Sequence, residues 1–183
     1  NPVRPTAYPI NRAGFVIHSA IHRSIPDAHC VMHTHTTAGM AVACLKGGLS
    51  HDSFNGAQLH GRVAYHDFEG VTVDEGEQAR MLASIGDRRA VILRNHGLLA
   101  WGASVAEAFM TLWTLQRACD VQVASSAMGA MNPIGAAALE LFADNQPDVV
   151  VLDALMPEVD GFITCERLRR LTGGEHVPIL MLT

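Results

Sequence analysis

The sequence predicts an α/β fold, and three observations predict it. Short apolar runs at Cys30–His35 and Ala90–Asn95 alternate with longer stretches of helical periodicity. Leu98–Gly102 returns directly after Ala90–Asn95, so the two read as a hairpin with His96 at its tip. Val149–Asp153 and Val177–Leu182 are continuous apolar runs, the kind buried on both faces of a parallel sheet, with a helix-length segment over 162–171 between them. The first part of the chain therefore carries hairpin-like and mixed signals, and the last stretch is a βαβ unit.

Taken in order, residues 1–12 form an extended entry broken by Pro2, Pro5 and Pro9. Asn11 caps a helix over 12–24, whose apolar positions are Phe15, Ile17, Ala20 and Ile21. His18 and His22 are i, i+4 neighbours on it. Without the glutamate of an HExxH motif they read better as a half-buried polar edge than as a metal pair. Pro26-Asp27 turns the chain into the strand 30–35. A helix over 37–45 follows and stops at Gly47-Gly48. Residues 49–62 are glycine-rich and polar and read as a loop, Arg62–Tyr65 as a short strand, and 66–70 as a polar cluster. The helix over 74–86 is acidic in its first turn at Asp74, Glu75 and Glu77, as the helix dipole prefers. Ser104 and Glu107 form a capping box that opens a long helix to about residue 128 with a wide apolar face. At 129–135 the texture changes: Asn132-Pro133 and two glycines mark a boundary near 133, so the expected domains are 1–132 and 133–183.

Composition narrows the function. The chain has 183 residues, 49% of them hydrophobic, and a net charge of −5. That charge offers no basic footprint for nucleic acid or an anionic membrane, and no apolar run reaches the length of a membrane span. The start is polar and proline-rich, without the apolar core of a secretory signal. Cys30, Cys44, Cys119 and Cys165 are scattered singly, so neither a disulfide framework nor a cysteine zinc site is expected, and a reducing cytoplasm is the default. All the histidines except His176 lie between His18 and His96.

Within that stretch His33-Thr34-His35 is the chemically suggestive motif. On a strand, residues i and i+2 project from one face, so two imidazoles can converge on one point. His96, at the end of a second apolar run, offers a third. Three imidazoles leave a position open for water or substrate, the pattern of a catalytic metal site. The competing reading is that of ordinary polar residues at strand ends.

Several motifs in order make residues 10–128 resemble the class II aldolase/adducin family. They are Asn11–His18 (NRAGFVIH), Ile25–Ala28 (IPDA), His33–Thr36 (HTHT), Tyr65–Gly70 (YHDFEG) and Asn95–Leu99 (NHGLL). The resemblance implies a three-layer mixed sheet flanked by helices and a homotetramer with sites at subunit boundaries. It implies zinc, or another divalent transition metal, on His33, His35 and His96. Catalytic members carry an acid one helical turn before the histidine matching His18, where this chain has Gly14 and no other carboxylate before Pro26. The adducin-like branch often lacks that acid. The family's phosphate-binding loops, which precede this region, are not found before Asn1. Tyr65, His66, Asp67 and Glu69 are the nearest candidates for proton transfer. Of these Tyr65 is the expected catalytic residue, since catalytic members place a tyrosine here.

Residues 136–183 resemble part of a response-regulator receiver domain: Val149–Asp153, Met156–Phe162 (MPEVDGF) and Pro178–Thr183 (PILMLT) follow its pattern. Asp153 takes the place of the phosphoacceptor and Thr183 that of the switch hydroxyl. The strand with the acidic Mg²⁺ pair and the one with the lysine are not found, so Asp153 is expected to be inactive. The chain thus looks like a chimera of the two families. The expected function is a metal-dependent aldolase-type lyase acting on a small hydroxy-carbonyl or sugar-derived substrate. The alternatives are a non-catalytic adducin-like metal-binding or assembly module and a degenerate phosphorelay receiver fragment. A homo-oligomer, a cytoplasmic location and no nucleic-acid or membrane partner are expected.

Overall fold

The computed structural model describes residues 8–70, 76–144, 150–153 and 179–182. The described elements run α1 (Arg12–Ser24), β1 (Cys30–Thr34), α2 (Thr37–Ala43), α3 (Phe54–Gln58), β2 (Val63–His66), α4 (Gly76–Ile85), β3 (Ala90–Leu93), β4 (Gly97–Gly102), α5 (Val105–Ser126), α6 (Ala136–Asp144), β5 (Val150–Asp153) and β6 (Ile179–Leu182). The chain divides into two compact units, Asn1–Ala143 and Asp144–Thr183.

The first unit is built on a four-stranded mixed sheet of order β1-β4-β3-β2. The two central contacts, β1 with β4 and β3 with β4, are antiparallel, whereas β2 joins β3 in parallel. β3 and β4 are the expected hairpin, with Leu93 opposite Gly97. Both strands are buried at every position. Alternation along them feeds two cores. On one face Ile92, Leu98 and Ala100 pack with Val42 of α2 and with Leu115, Ala118 and Cys119 of α5. On the other, Val91, Leu99 and Trp101 pack with Ile17 and Ile21 of α1 and Met81 and Ile85 of α4. Each fully buried aliphatic side chain contributes roughly 1.5–3 kcal/mol, so the sheet is held equally from both sides. The result is helix, sheet, helix.

Local chemistry sets the helix starts. Asn11 accepts from the Gly14 amide, Thr36 from Gly39 and Ser104 from Glu107, each cap satisfying an amide the first turn leaves unpaired. Glu107 answers by accepting from the Ala103 amide at 2.8 Å. The expected loop over 49–62 contains a helical turn, α3. Ser53 caps it at Gly56, and Gly56 lies too close to the Ser50 carbonyl for any side chain. Small and polar residues that read as loop here serve close packing. β2 also starts one residue later than expected and runs to His66, which makes His66 a buried strand residue rather than part of an exposed polar cluster.

The first unit extends past the expected boundary near 133. The Ile134 amide donates to Asp52 at 2.9 Å, which ties the segment after α5 back to the α3 region. In the second unit β5 and β6 pair in parallel, Val150 opposite Ile179 and Asp153 opposite Leu182. A parallel pair needs a crossover, as a βαβ unit supplies. The expected helix over 162–171 lies outside the described residues, as does Thr183.

Candidate metal centre

His33, His35 and His96 converge at one end of the four-stranded sheet. One ligand nitrogen from each lies within 4.8 Å of the others. Ring centroids are 4.5 Å apart for His33 and His35, 4.9 Å for His33 and His96, and 4.7 Å for His35 and His96. β1 delivers His33, and His35 follows one residue beyond its end. The turn between β3 and β4 delivers His96. That turn closes through the His96 amide on the Leu93 carbonyl, and Asn95 takes φ 57°, a conformation asparagine tolerates better than most residues.

Hydrogen bonding fixes which nitrogen of His33 is available. Its Nδ1 lies 2.8 Å from the Leu98 carbonyl, which can only accept, so Nδ1 carries the proton. The lone pair is left on Nε2, which lies 2.6 Å from His35 Nε2. A backbone carbonyl behind a ligating imidazole is the usual outer support of a metal-binding histidine. Burial pushes the His33 pKa down to about 4, with the neighbouring imidazoles adding to the fall. Burial, then His35, lowers that of His96. Both rings are therefore neutral near pH 7, as a metal ligand must be. A built Cβ on Gly97 would fall 2.4 Å from the Thr34 carbonyl and 3.0 Å from His35. Glycine is thus what lets the three rings approach. The donor set, the tautomer and the charge state all fit a divalent transition metal.

The other sequence candidates are placed as follows. Tyr65 lies against the α2/α5 core, and its hydroxyl oxygen accepts from the Leu49 amide at 3.0 Å. Val31 lies against the opposite core, and His33, two residues on, shares its side of β1, so Tyr65 and His33 project from opposite faces of the sheet. Arg94 stacks over the Tyr65 ring at 4.6 Å and reaches Asp67 at 3.4 Å. Glu69 is gripped through both oxygens by Arg80 at 2.9 Å. Its carboxyl is held below the usual range by that guanidinium. Both acids are solvated ion-paired groups. His22 is tied to the Ala28 carbonyl at 2.6 Å. His18 is half-buried, and burial, then His22, lowers its pKa. Gly14 has no atom closer than 3.9 Å to a built Cβ, so an acid there is sterically possible but absent. Asp153 ends β5. A carboxylate that sequence reasoning assigned only to the helix dipole, Glu77, is buried beside His66 at 3.7 Å.

A helix-flanked mixed sheet with three imidazoles at its end defines a class of metal-binding α/β domains. Comparison with known families gives the particular one. The profile of the class II aldolase and adducin N-terminal domain matches residues 1–123, and the chain belongs to that family. The response regulator receiver profile matches residues 104–183, overlapping the first along α5. A Pseudomonas aeruginosa protein, provisionally named an aldolase class 2 protein, is 47% identical over 123 residues, which cover 67% of this chain and 48% of that relative. Alpha-adducin of Rattus norvegicus is also 47% identical, over 62% of this chain and 16% of the relative. Among solved structures, an aldolase II superfamily protein from Pseudomonas syringae has a TM-score of 0.74 at 41% identity, covering 78% of this chain and 58% of that one. An L-fuculose 1-phosphate aldolase from Glaciozyma antarctica has a TM-score of 0.64 at 27% identity, covering 92% and 62%. The chain spans about half the length of the aldolase-named curated relatives it matches. Among the described residues, no helix is long and apolar enough to cross a membrane.

Proposed function

We propose that the first unit is a metal-dependent lyase domain of the aldolase type, acting on a small hydroxy-carbonyl or sugar-derived substrate. His33, His35 and His96 hold the metal, with zinc as the first choice. The observation that carries this reading is the His33–Leu98 hydrogen bond, which presents one fixed lone pair to the centre of the three rings. A divalent metal held there supplies Lewis-acid stabilisation of an oxygen that gains negative charge as a C–C bond beside a carbonyl breaks. The chain's own part is to orient the rings, keep them neutral and shield one side with Ile17 and Leu93. Tyr65 enters this reading with the hydroxyl proton that the Leu49 contact leaves free, and Tyr65→Phe with unchanged turnover removes it.

A second reading is a non-catalytic adducin-like metal-binding or assembly module. Gly14 favours it, because the first turn of α1 brings no acid. The same relationship supports a homo-oligomer, with a tetramer as the family form, in the cytoplasm. One experiment separates the two readings. Retro-aldol cleavage of a panel of hydroxy-ketones and their phosphates, present with added zinc and lost in His96→Ala, decides for the enzyme. Full metal retention without turnover decides for the module. The receiver-like segment is proposed to be inactive. Modification of Asp153 by acetyl phosphate and Mg²⁺ would overturn that.

A further inference from the structure

His66 and Glu77 form a buried polar pair outside the three-histidine cluster. His66 ends β2 and Glu77 stands in the first turn of α4, both more than nine-tenths buried. The His66 tautomer follows from its neighbours. Ser84 donates its hydroxyl proton to the Arg80 carbonyl at 3.0 Å. The same oxygen must then accept from His66 Nδ1, 3.1 Å away, so Nδ1 carries the proton. In the neutral ring Nε2 presents a lone pair. It has no hydrogen-bond partner among the described residues, and it faces Glu77 Oε1 at 3.7 Å. Two lone-pair atoms facing each other beyond hydrogen-bond range need a donor between them. There is room for one. A cavity of about 10 Å³ is lined by His66, Glu77, Ile17, Met81, Leu93 and His96. That is the space of a single water centre.

We propose that this cavity holds one water donating to both His66 Nε2 and Glu77 Oε1. The water-linked pair is the proton carrier for the neighbouring His96 site, in place of the acid that Gly14 does not provide. The inference rests on the reading of the three-histidine centre as a site of hydroxy-carbonyl chemistry. A water that donates both hydrogens keeps its lone pairs free to accept a proton from the carbon beside the substrate's carbonyl. That C–H bond breaks and its electron pair passes into the substrate's enediolate. The water hands one of its own protons to His66 Nε2, and the Glu77 carboxylate balances the imidazolium formed. Reversal returns a proton of solvent origin to the carbon, so no oxidant or reductant is needed.

The test uses the full chain and dihydroxyacetone in D₂O, with carbon-bound hydrogen followed by proton NMR and zinc content measured in parallel. Nitrogen-15 NMR of His66 and a high-resolution crystal structure report the tautomer and the water without any need for turnover. Expected are an Nδ1-protonated His66, a water between the pair, and exchange at least about 100-fold slower in Glu77→Gln with zinc content unchanged. Glu77→Asp, which keeps the charge, is expected to recover part of the exchange and serves alone if Glu77→Gln does not fold. Exchange within threefold of wild type in the folded variants, or an Nε2-protonated His66, or a dry cavity, overturns the proposal. Failure of the underlying reading looks different: wild type then neither retains zinc nor exchanges, and the proton-carrier role falls with it.

Discussion

His33 Nδ1 donates to the Leu98 carbonyl across the β1–β4 ladder at 2.8 Å, and Gly97, the residue before that carbonyl, has no room for a side chain. A methyl at 97 must push β1 or both imidazoles outward. Gly97→Ala is expected to weaken zinc binding by about 10–100-fold, the range for lost outer support of a ligand, and to destabilise the fold by about 1–3 kcal/mol. Competition with a chelating dye and a urea melt check the two effects separately. Unchanged affinity would mean the rings are not held by this packing.

The buried imidazoles make the metal-free fold sensitive to mild acid. His33 titrates near 4 in the fold, well below 6.5 in the unfolded chain, and His96 is lowered too. Above pH 6.5 neither state is protonated and stability is full. As pH falls from 6.5 toward 4 the unfolded chain takes up protons that the fold refuses, so stability is lost across that window. For His33 the full displacement is worth at most about 3 kcal/mol, and solvent reaching its half-buried ring brings this nearer to 1–2 kcal/mol. Urea melts with chelator at pH 7.5 and 5 are expected to differ by about that amount, and His33→Gln to lose most of the difference. Equal slopes in both proteins would contradict it.

Tyr65 supports the loop before α3. Its ring fills the place a Cβ on Gly48 would take, 2.6 Å away, and Gly48 has φ 67°. Tyr65→Phe is expected to cost about 1 kcal/mol for the lost acceptor of Leu49, and Gly48→Ala more, since it adds a clash to a strained backbone. Thermal melts of the two variants check the order.

Ser104 and Glu107 close the start of α5 reciprocally. Ser104→Ala is expected to lower stability by about 1 kcal/mol without changing metal content. A metal loss here would mean that α5 and the site are coupled.

Much of this was legible in the sequence because the signals were local. Asn11 and Ser104 announce their helices, and the His96 hairpin follows from two apolar runs separated by a tight polar tip. The ligand histidines were legible through spacing and the family motifs. What was hidden depends on distant packing. Ser53 and Gly56 form a helical turn only because Gly56 meets the Ser50 backbone. The burial of His66, and Glu77's position beside it, needs β2 and α4 to meet, which no local pattern encodes. The opposite faces of Tyr65 and His33 depend on the register of β1 and β2 in one sheet, so motif order alone brought into one candidate site residues that the sheet separates.

The measurement that tests the account most directly is metal content after purification without chelator, compared between the intact chain and His33→Ala. The account predicts close to one divalent ion per chain in the first and close to none in the second. Values near zero in both, or equal occupancy in both, would contradict it.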